Sequence, residues 1–197
     1  MKKYSLTKEK KVECGVTLFR IKANIAFGIV SKGELGGWIE KEENLDQEGN
    51  AWVSDDARVF GDARVFGDAW VSDDAWVSDD AWVFGDAWVS DDAWVFGDAR
   101  VFGDALVSGD ARVFGDARVF GDARMYGNVR VYGNAHCEFG WYFAYKEKDW
   151  DITEVPSGEG ILLVKDYQKP TEEKEESLSG ETVEVTVKGK KYKAKIL

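Results

Sequence analysis

From Ala51 to Cys137 the chain repeats one six-residue phrase without a break, beginning Ala51-Trp52-Val53-Ser54-Asp55-Asp56 and then Ala57-Arg58-Val59-Phe60-Gly61-Asp62. Alanine stands at every sixth position from 51 to 123, Val129 takes one turn, and Ala135 resumes. Two residues after each comes Val, from Val53 to Val119, then Met125, Val131 and Cys137. A fixed period of this kind determines architecture before any local propensity is considered. In a strand, successive side chains face opposite sides. The Ala and Val of Ala-x-Val therefore share one side, and x and the residue after Val share the other. Ala and Val are the constant, apolar pair, so they are the inside. Asp, Asn and Gly close each hexad, where the backbone turns and positive φ is often required. Each hexad is one short strand and one corner.

If three hexads make one coil, positions 18 apart stack and share a character. The residue after Val on one face is Ser54, Ser72, Ser90, Ser108 and Tyr126. On the third face it is Phe66, Phe84, Phe102 and Phe120, then Glu138, while the second face is mixed, with Phe60, Ser78, Phe96, Phe114 and Tyr132. This longer period predicts an all-β fold, a three-sided parallel β-helix. Inward positions from Val53 to Cys137 make about five coils, a rod of roughly 24 Å at ~4.8 Å per coil.

Outside the repeat, residues 1–50 read as an N-terminal cap, since a bare terminal rung would expose apolar core and unpaired backbone. Within it, Lys11-Val12-Glu13-Cys14 and Val16 to Ile21 read as strands with Gly15 at the turn. Ile39 and Leu45 fall twelve and six residues before Ala51 and are expected on its register; Trp38 is expected to plug the open end. The repeat proper spans 51–138. Residues 139–168 form a C-terminal cap, with Trp141-Tyr142-Phe143 leaving the stack to cover the last coil and Ile161 to Val164 forming a strand. Residues 169–180 are a charged linker, and 181–197 alternate as a β-hairpin turning at Lys188-Gly189-Lys190. A hairpin alone is marginal, so it is expected to dock on the Ile161–Val164 strand or on a partner.

The hexads resemble the left-handed parallel β-helix, or hexapeptide-repeat, superfamily, with Val in the aliphatic slot and Ala in the small one. The left hand is implied by that resemblance. More narrowly, Gly33-x-x-Gly36-Gly37-Trp38-Ile39-Glu40 and Asn44-Leu45 through Asn50-Ala51-Trp52-Val53 resemble bacterial and phage proteins often labelled acyltransferases without a demonstrated reaction. The resemblance covers about residues 11–138. Acyltransferases of this fold generally use a histidine base between subunits and loops extruded from the coils. This chain has one histidine, His136, and no insertion between 51 and 138. A single histidine also excludes the three-histidine zinc site of γ-type carbonic anhydrases. No catalytic residue and no cofactor is expected.

Charge narrows the partner. The net charge is −11, concentrated in the repeat, which argues against direct binding of duplex nucleic acid. No apolar run approaches the ~20 residues that span a bilayer. Two cysteines, Cys14 and Cys137, fit a reduced cytoplasmic protein, in a host cell if phage-encoded. The Asp that ends each hexad is expected to satisfy corner N–H groups. The preceding Asp55, Asp73 and Asp91 are weaker candidates for Ca²⁺. The outward aromatics carry the functional expectation: Trp52, Trp70 and Trp88 on the first face, Trp76 and Trp94 on the second, Trp82 on the third, and the ladder Phe66–Phe84–Phe102–Phe120. Arg64, Arg100 and Arg118 are expected over neighbouring Phe rings. Such residues are enriched at interfaces. The expected function is a non-catalytic solenoid that binds a protein partner or itself through these ladders. The alternatives are a phage-encoded inhibitor mimicking nucleic acid through its carboxylates, and an acyltransferase-like enzyme.

Overall fold

The computed structural model describes residues 1–144, 150–152, 182–187 and 190–195, with side chains as far as Tyr142. The chain divides into two compact units, Met1–Leu163 and Val164–Leu197. The first holds a three-sided parallel β-solenoid. From Ala51 to Asp116 each hexad forms a two-residue strand, such as Trp70–Val71, Trp76–Val77 and Trp82–Val83, followed by a turn, and beyond it the strands lengthen, as in Arg118–Gly127. Strands 18 residues apart pair in parallel, as Trp70 with Trp88, Trp76 with Trp94 and Trp82 with Arg100. The pairing leaves few backbone donors idle. Trp70 N donates to Ala87 O at 2.9 Å and Ser72 N to Val89 O at 3.0 Å, and this pattern recurs along the rod.

Inside, the Ala and Val positions form one continuous core, nearly all without solvent exposure. The inward stack of the first face is Val53, Val71, Val89, Val107, Met125 and Tyr142. That of the second is Ile39, Val59, Val77, Val95, Val113 and Val131. The third is Leu45, Val65, Val83, Val101, Val119 and Cys137. The rod therefore has about six coils rather than five, because the stack extends past the hexads at both ends.

At the N-terminal end the extension comes from Ile39 and Leu45, and their placement corrects the expected register. They align with Val59 and Val65, twenty residues on, so they occupy the Val slot and not the Ala slot of Ala51. Two extra residues lie in the corner between Leu45 and Val53. An even insertion keeps the side chains inward, yet moves them from the narrow corner to mid-face, where a bulky aliphatic fits. At the other end, Trp141 and Tyr142 do not leave the stack. They pair with Arg124 and Met125, because the corner beyond Cys137 is one residue shorter than the corner beyond Val119, and Tyr142 is buried.

The N-terminal cap is a hairpin that continues the sheet of the second face. Strands β1 (Tyr4–Glu13) and β2 (Val16–Ala23) are antiparallel, and Cys14 and Gly15 make the turn with φ of 50° and 81°. β2 pairs antiparallel with β3 (Leu35–Ile39), which itself pairs in parallel with the Arg58–Val59 strand. Trp38 consequently lies on the flank of the rod, not across its open end. Its ring is covered by the Lys11 ammonium at 4.6 Å and the Arg20 guanidinium at 5.3 Å, and its Nε1 donates to Asp56 Oδ1. Tyr4, Ile21 and Val30 join the core cluster instead, and the Tyr4 hydroxyl donates to Leu45 O at 2.6 Å.

Lys3 completes the cap from the inside. Its residue is 2% exposed, and Nζ donates to Ala51 O at 3.0 Å and Glu48 O at 3.1 Å. These carbonyls, at the irregular corner, have their needs met by an ammonium. Burial pushes the Lys3 amine down to about 8, with Asp46 and Asp68 pulling the other way. Between about 8 and the ordinary value of 10.5, the unfolded chain keeps a proton that the folded chain has released, so rising pH favours the folded state through that window. The buried Cys137 thiol, pushed up to about 12 from 9.0, acts oppositely above pH 9. Comparison with Lys3→Met isolates the lysine. Urea midpoints of wild type relative to Lys3→Met should rise from pH 8 towards pH 10.

In the second unit, Thr182–Val187 and Lys190–Lys195 form an antiparallel hairpin with Val183 opposite Ala194 and Val185 opposite Tyr192. The expected strand at Ile161–Val164, the linker 169–180 and Ile196 lie outside the described residues.

Candidate interaction surface

Outward positions inherit the period of the core, so like rings meet at the spacing of the coils. Phe66, Phe84, Phe102 and Phe120 stack with centroids 4.7, 4.8 and 5.0 Å apart and planes within 6° of parallel. All four are half-buried. A second ladder, not anticipated from the mixed second face, runs Phe96–Phe114–Tyr132 at 4.9 and 5.0 Å. Its signal was present in the 18-residue spacing of these three residues, interrupted by Ser78.

The tryptophans divide by face. On the second face Trp76 and Trp94 stack at 5.1 Å, with the Arg58 guanidinium 5.2 Å over Trp76 and that of Arg112 5.1 Å over Trp94. On the third, Arg100 lies 5.2 Å over Trp82. Of the three arginines expected over phenylalanines, Arg100 sits on an indole, as Arg58 and Arg112 do, because an Arg and a Trp share position x on adjacent coils, whereas Phe lies two residues on. On the first face Trp70 and Trp88 are tilted at 51° and 6.4 Å apart, and Trp88 Nε1 donates to Ser72 Oγ. Trp82, Trp88 and Trp94 are 36%, 47% and 39% exposed.

Trp52 is not part of this surface. It has no solvent exposure, and Tyr4 and Phe27 meet its ring edge-on at 6.4 and 5.4 Å. β3 passes so close that a Cβ on Gly36 would stand 2.5 Å from Trp52 Cζ2. The repeat register alone marks position x as outward; the cap folding over it makes it core.

The doubled aspartates have a backbone explanation. Asp55, Asp73 and Asp91, together with Asp79, adopt φ between 54° and 58° at corners where other coils use Gly. Asp accepts this left-handed conformation better than most residues. Its carboxylate then reaches the next coil: Asp91 Oδ2 accepts from Gly109 N at 3.0 Å, and Asp79 Oδ2 from Gly97 N at 3.1 Å. Ser54 and Ser72 donate to the carboxylates of Asp55 and Asp73, so at these two corners the Ser and the first Asp form one bonded pair. Among the described residues no three His, Cys, Asp or Glu side chains are grouped to hold a metal. Asp91→Ala keeps the φ cost and loses the bond to Gly109, so it should destabilise the rod by about 1–2 kcal/mol. Asp91→Gly should fall within about 1 kcal/mol of wild type, because relief at positive φ offsets the lost bond; thermal unfolding distinguishes the two.

His136 is exposed at position x of the third face, its Nδ1 2.7 Å from Asn134 O. Among the described residues no helix is long and apolar enough to cross a membrane.

A family model described as the YdcK beta solenoid repeat matches residues 57–73 and 111–127. The chain is a β-solenoid repeat protein. Both matched stretches open on the second face, at Ala57 and Ala111, and 111 − 57 is 54 residues, or three coils of 18. The match is in phase with the coil and not merely with the hexad. A search of curated proteins returned no match.

Proposed function

We propose that this solenoid acts without catalysis, as a rigid rod that binds a protein partner or a second copy of itself through the outward aromatic ladders. The observation that carries the reading is how the rings are oriented. Phe66 to Phe120 and the Trp76–Trp94 pair spend their faces on one another and on arginines. Sugars and nucleobases stack on free ring faces, whereas these ladders offer ring edges and indole N–H groups. Edges fixed at the coil spacing suit side chains of a folded surface. Since the rod orders them beforehand, little conformational entropy is lost on binding.

The charge pattern supports a protein contact as well. Asp lines the corners while Arg shares the flat faces with Trp, so each face presents an aromatic strip between acidic margins. A reducing compartment, the cytoplasm, fits the free Cys14 and Cys137. The reading is tested on Phe102→Ser. Immobilised wild-type rod should retain a protein from a cell extract, or its own soluble copies, and the variant should release it while keeping its circular dichroism. Equal retention by both would contradict the reading.

A further inference from the structure

The second and third faces repeat one arrangement and differ in what covers the indole on each side. On the second, the Arg58 guanidinium lies over Trp76, held by two carboxylates: Nε is 2.9 Å from Glu13 Oε2 and Nη1 is 3.3 Å from Asp74 Oδ1. Trp94 stacks on the other side of Trp76. With both indole faces taken, Phe60, 5.8 Å away at 78°, meets Trp76 at its edge.

Trp82 on the third face stands in the same surroundings one hexad later. Phe66 meets it at 5.8 Å and 79°, Asp80 precedes it by two residues as Asp74 precedes Trp76, and Arg100 covers one indole face. By this correspondence Phe66 touches the edge, and the second face looks toward the coil of Arg64. Arg64 pairs with Trp82 in register as Arg58 pairs with Trp76. Yet it is exposed, and among the described cation–ring contacts it lies over no ring. The space beside Trp82 is a groove of about 650 Å³ that Arg64 itself lines, together with Glu43, Asp62, Asp80 and Lys41. Lys41 is engaged with Asp62 at 2.6 Å. Glu43, also in the lining, adds a second carboxylate to that of Asp80.

We infer that this groove receives an arginine side chain of a protein partner, its guanidinium stacked on the Trp82 indole and paired with Asp80 and Glu43. The chain itself shows the bound form, in Arg58 on Trp76. A planar guanidinium both stacks on an indole and takes carboxylates at its edge, which a lysine ammonium does less well. The inference rests on the contact reading above and names the chemistry of one partner group. Arg64 turning inward is the competing occupant.

The probe is the peptide acetyl-Arg-Arg-Arg-amide, titrated into the full chain at low ionic strength and followed by the indole N–H resonances. The Trp82 resonance should shift most, and saturably. Trp82→Ala, folded by circular dichroism, should bind about ten-fold more weakly, and Asp80→Asn should bind more weakly than wild type. Trp94→Ala removes an equally exposed indole whose faces are occupied, and should bind as wild type does. Arg64→Ala should bind as tightly or more tightly, having lost a competitor and a like charge. The inference is overturned if wild type gives no saturable shift, if Trp94→Ala weakens binding as much as Trp82→Ala, or if Arg64→Ala abolishes it. The peptide reports this groove alone, whereas the ladder reading is judged by Phe102→Ser, so either can fail without the other.

Discussion

Val89→Asp gives a chain that does not fold into the rod: its urea and thermal transitions lose cooperativity and its β-type circular dichroism is lost at 25 °C. Val89 has no solvent exposure, sits between Val71 and Val107 in the inward stack, and belongs to the buried cluster built mainly of Ala and Val. Removing Val forfeits about 1.5–2 kcal/mol of burial, and burying an unpaired carboxylate costs several kcal/mol more. That sum rivals the ~5–15 kcal/mol by which a domain is typically stable. A solenoid is held by contacts between neighbouring coils, so a defect at mid-rod also uncouples the two ends. Val89→Ala, which only leaves a small cavity, should fold and lose about 1–3 kcal/mol. Folded, cooperative Val89→Asp would mean that the inward side of Ala-x-Val has been misassigned.

Trp52→Ala should be the most damaging change among the outward-register positions, at about 3–5 kcal/mol. The ring is wholly buried between Tyr4, Phe27 and β3, and its loss opens the joint between cap and rod. Its Nε1 has no hydrogen-bond partner, so Trp52→Phe loses no bond and should cost much less than the alanine. Urea unfolding of the pair, with limited proteolysis of the N-terminal hairpin, separates a packing role from a polar one. By contrast Trp88→Ala, at a position of the same repeat register, should leave stability within about 1 kcal/mol of wild type.

The contrast between Trp52 and Trp88 marks what the sequence makes legible. The period specifies which side a residue faces relative to its own strand, and that was enough to read the core, the three faces and the Phe66–Phe120 ladder from the 18-residue spacing. What covers a face depends on residues outside the period, and Trp52 and Trp38 are covered by a hairpin whose docking no repeat encodes. Counting coils failed for a related reason. Ile39 and Leu45 share the Val slot with the hexads but are separated from them by a corner two residues longer, so a strict six-residue count places them in the wrong slot. At the far end, a corner one residue shorter hides the continuation through Tyr142. The Asp corners were half legible: Asp at a turn is ordinary, but its reach to the next coil's N–H is a contact across 18 residues. The arginine partners required knowing that position x pairs with position x on the adjacent coil, which sets Arg over Trp and leaves the Phe rings to one another.

The separation of an inert core from a working surface is tested most directly at Phe102. Its ring is half-buried and stacked between Phe84 and Phe120 at 4.8 and 5.0 Å, outward of the buried Val101 beside it. Losing two ring contacts, each about 0.5–1.5 kcal/mol, should lower the melting temperature modestly and leave the fold intact. The decisive measurement is solution mass by light scattering against protein concentration, for wild type and Phe102→Ser, alone and with the captured partner. The account predicts that wild type gains mass by self-association or complex formation, and that the folded variant stays at the monomer mass of 22.1 kDa. A folded Phe102→Ser with the same mass curve and the same bound partner as wild type would contradict it.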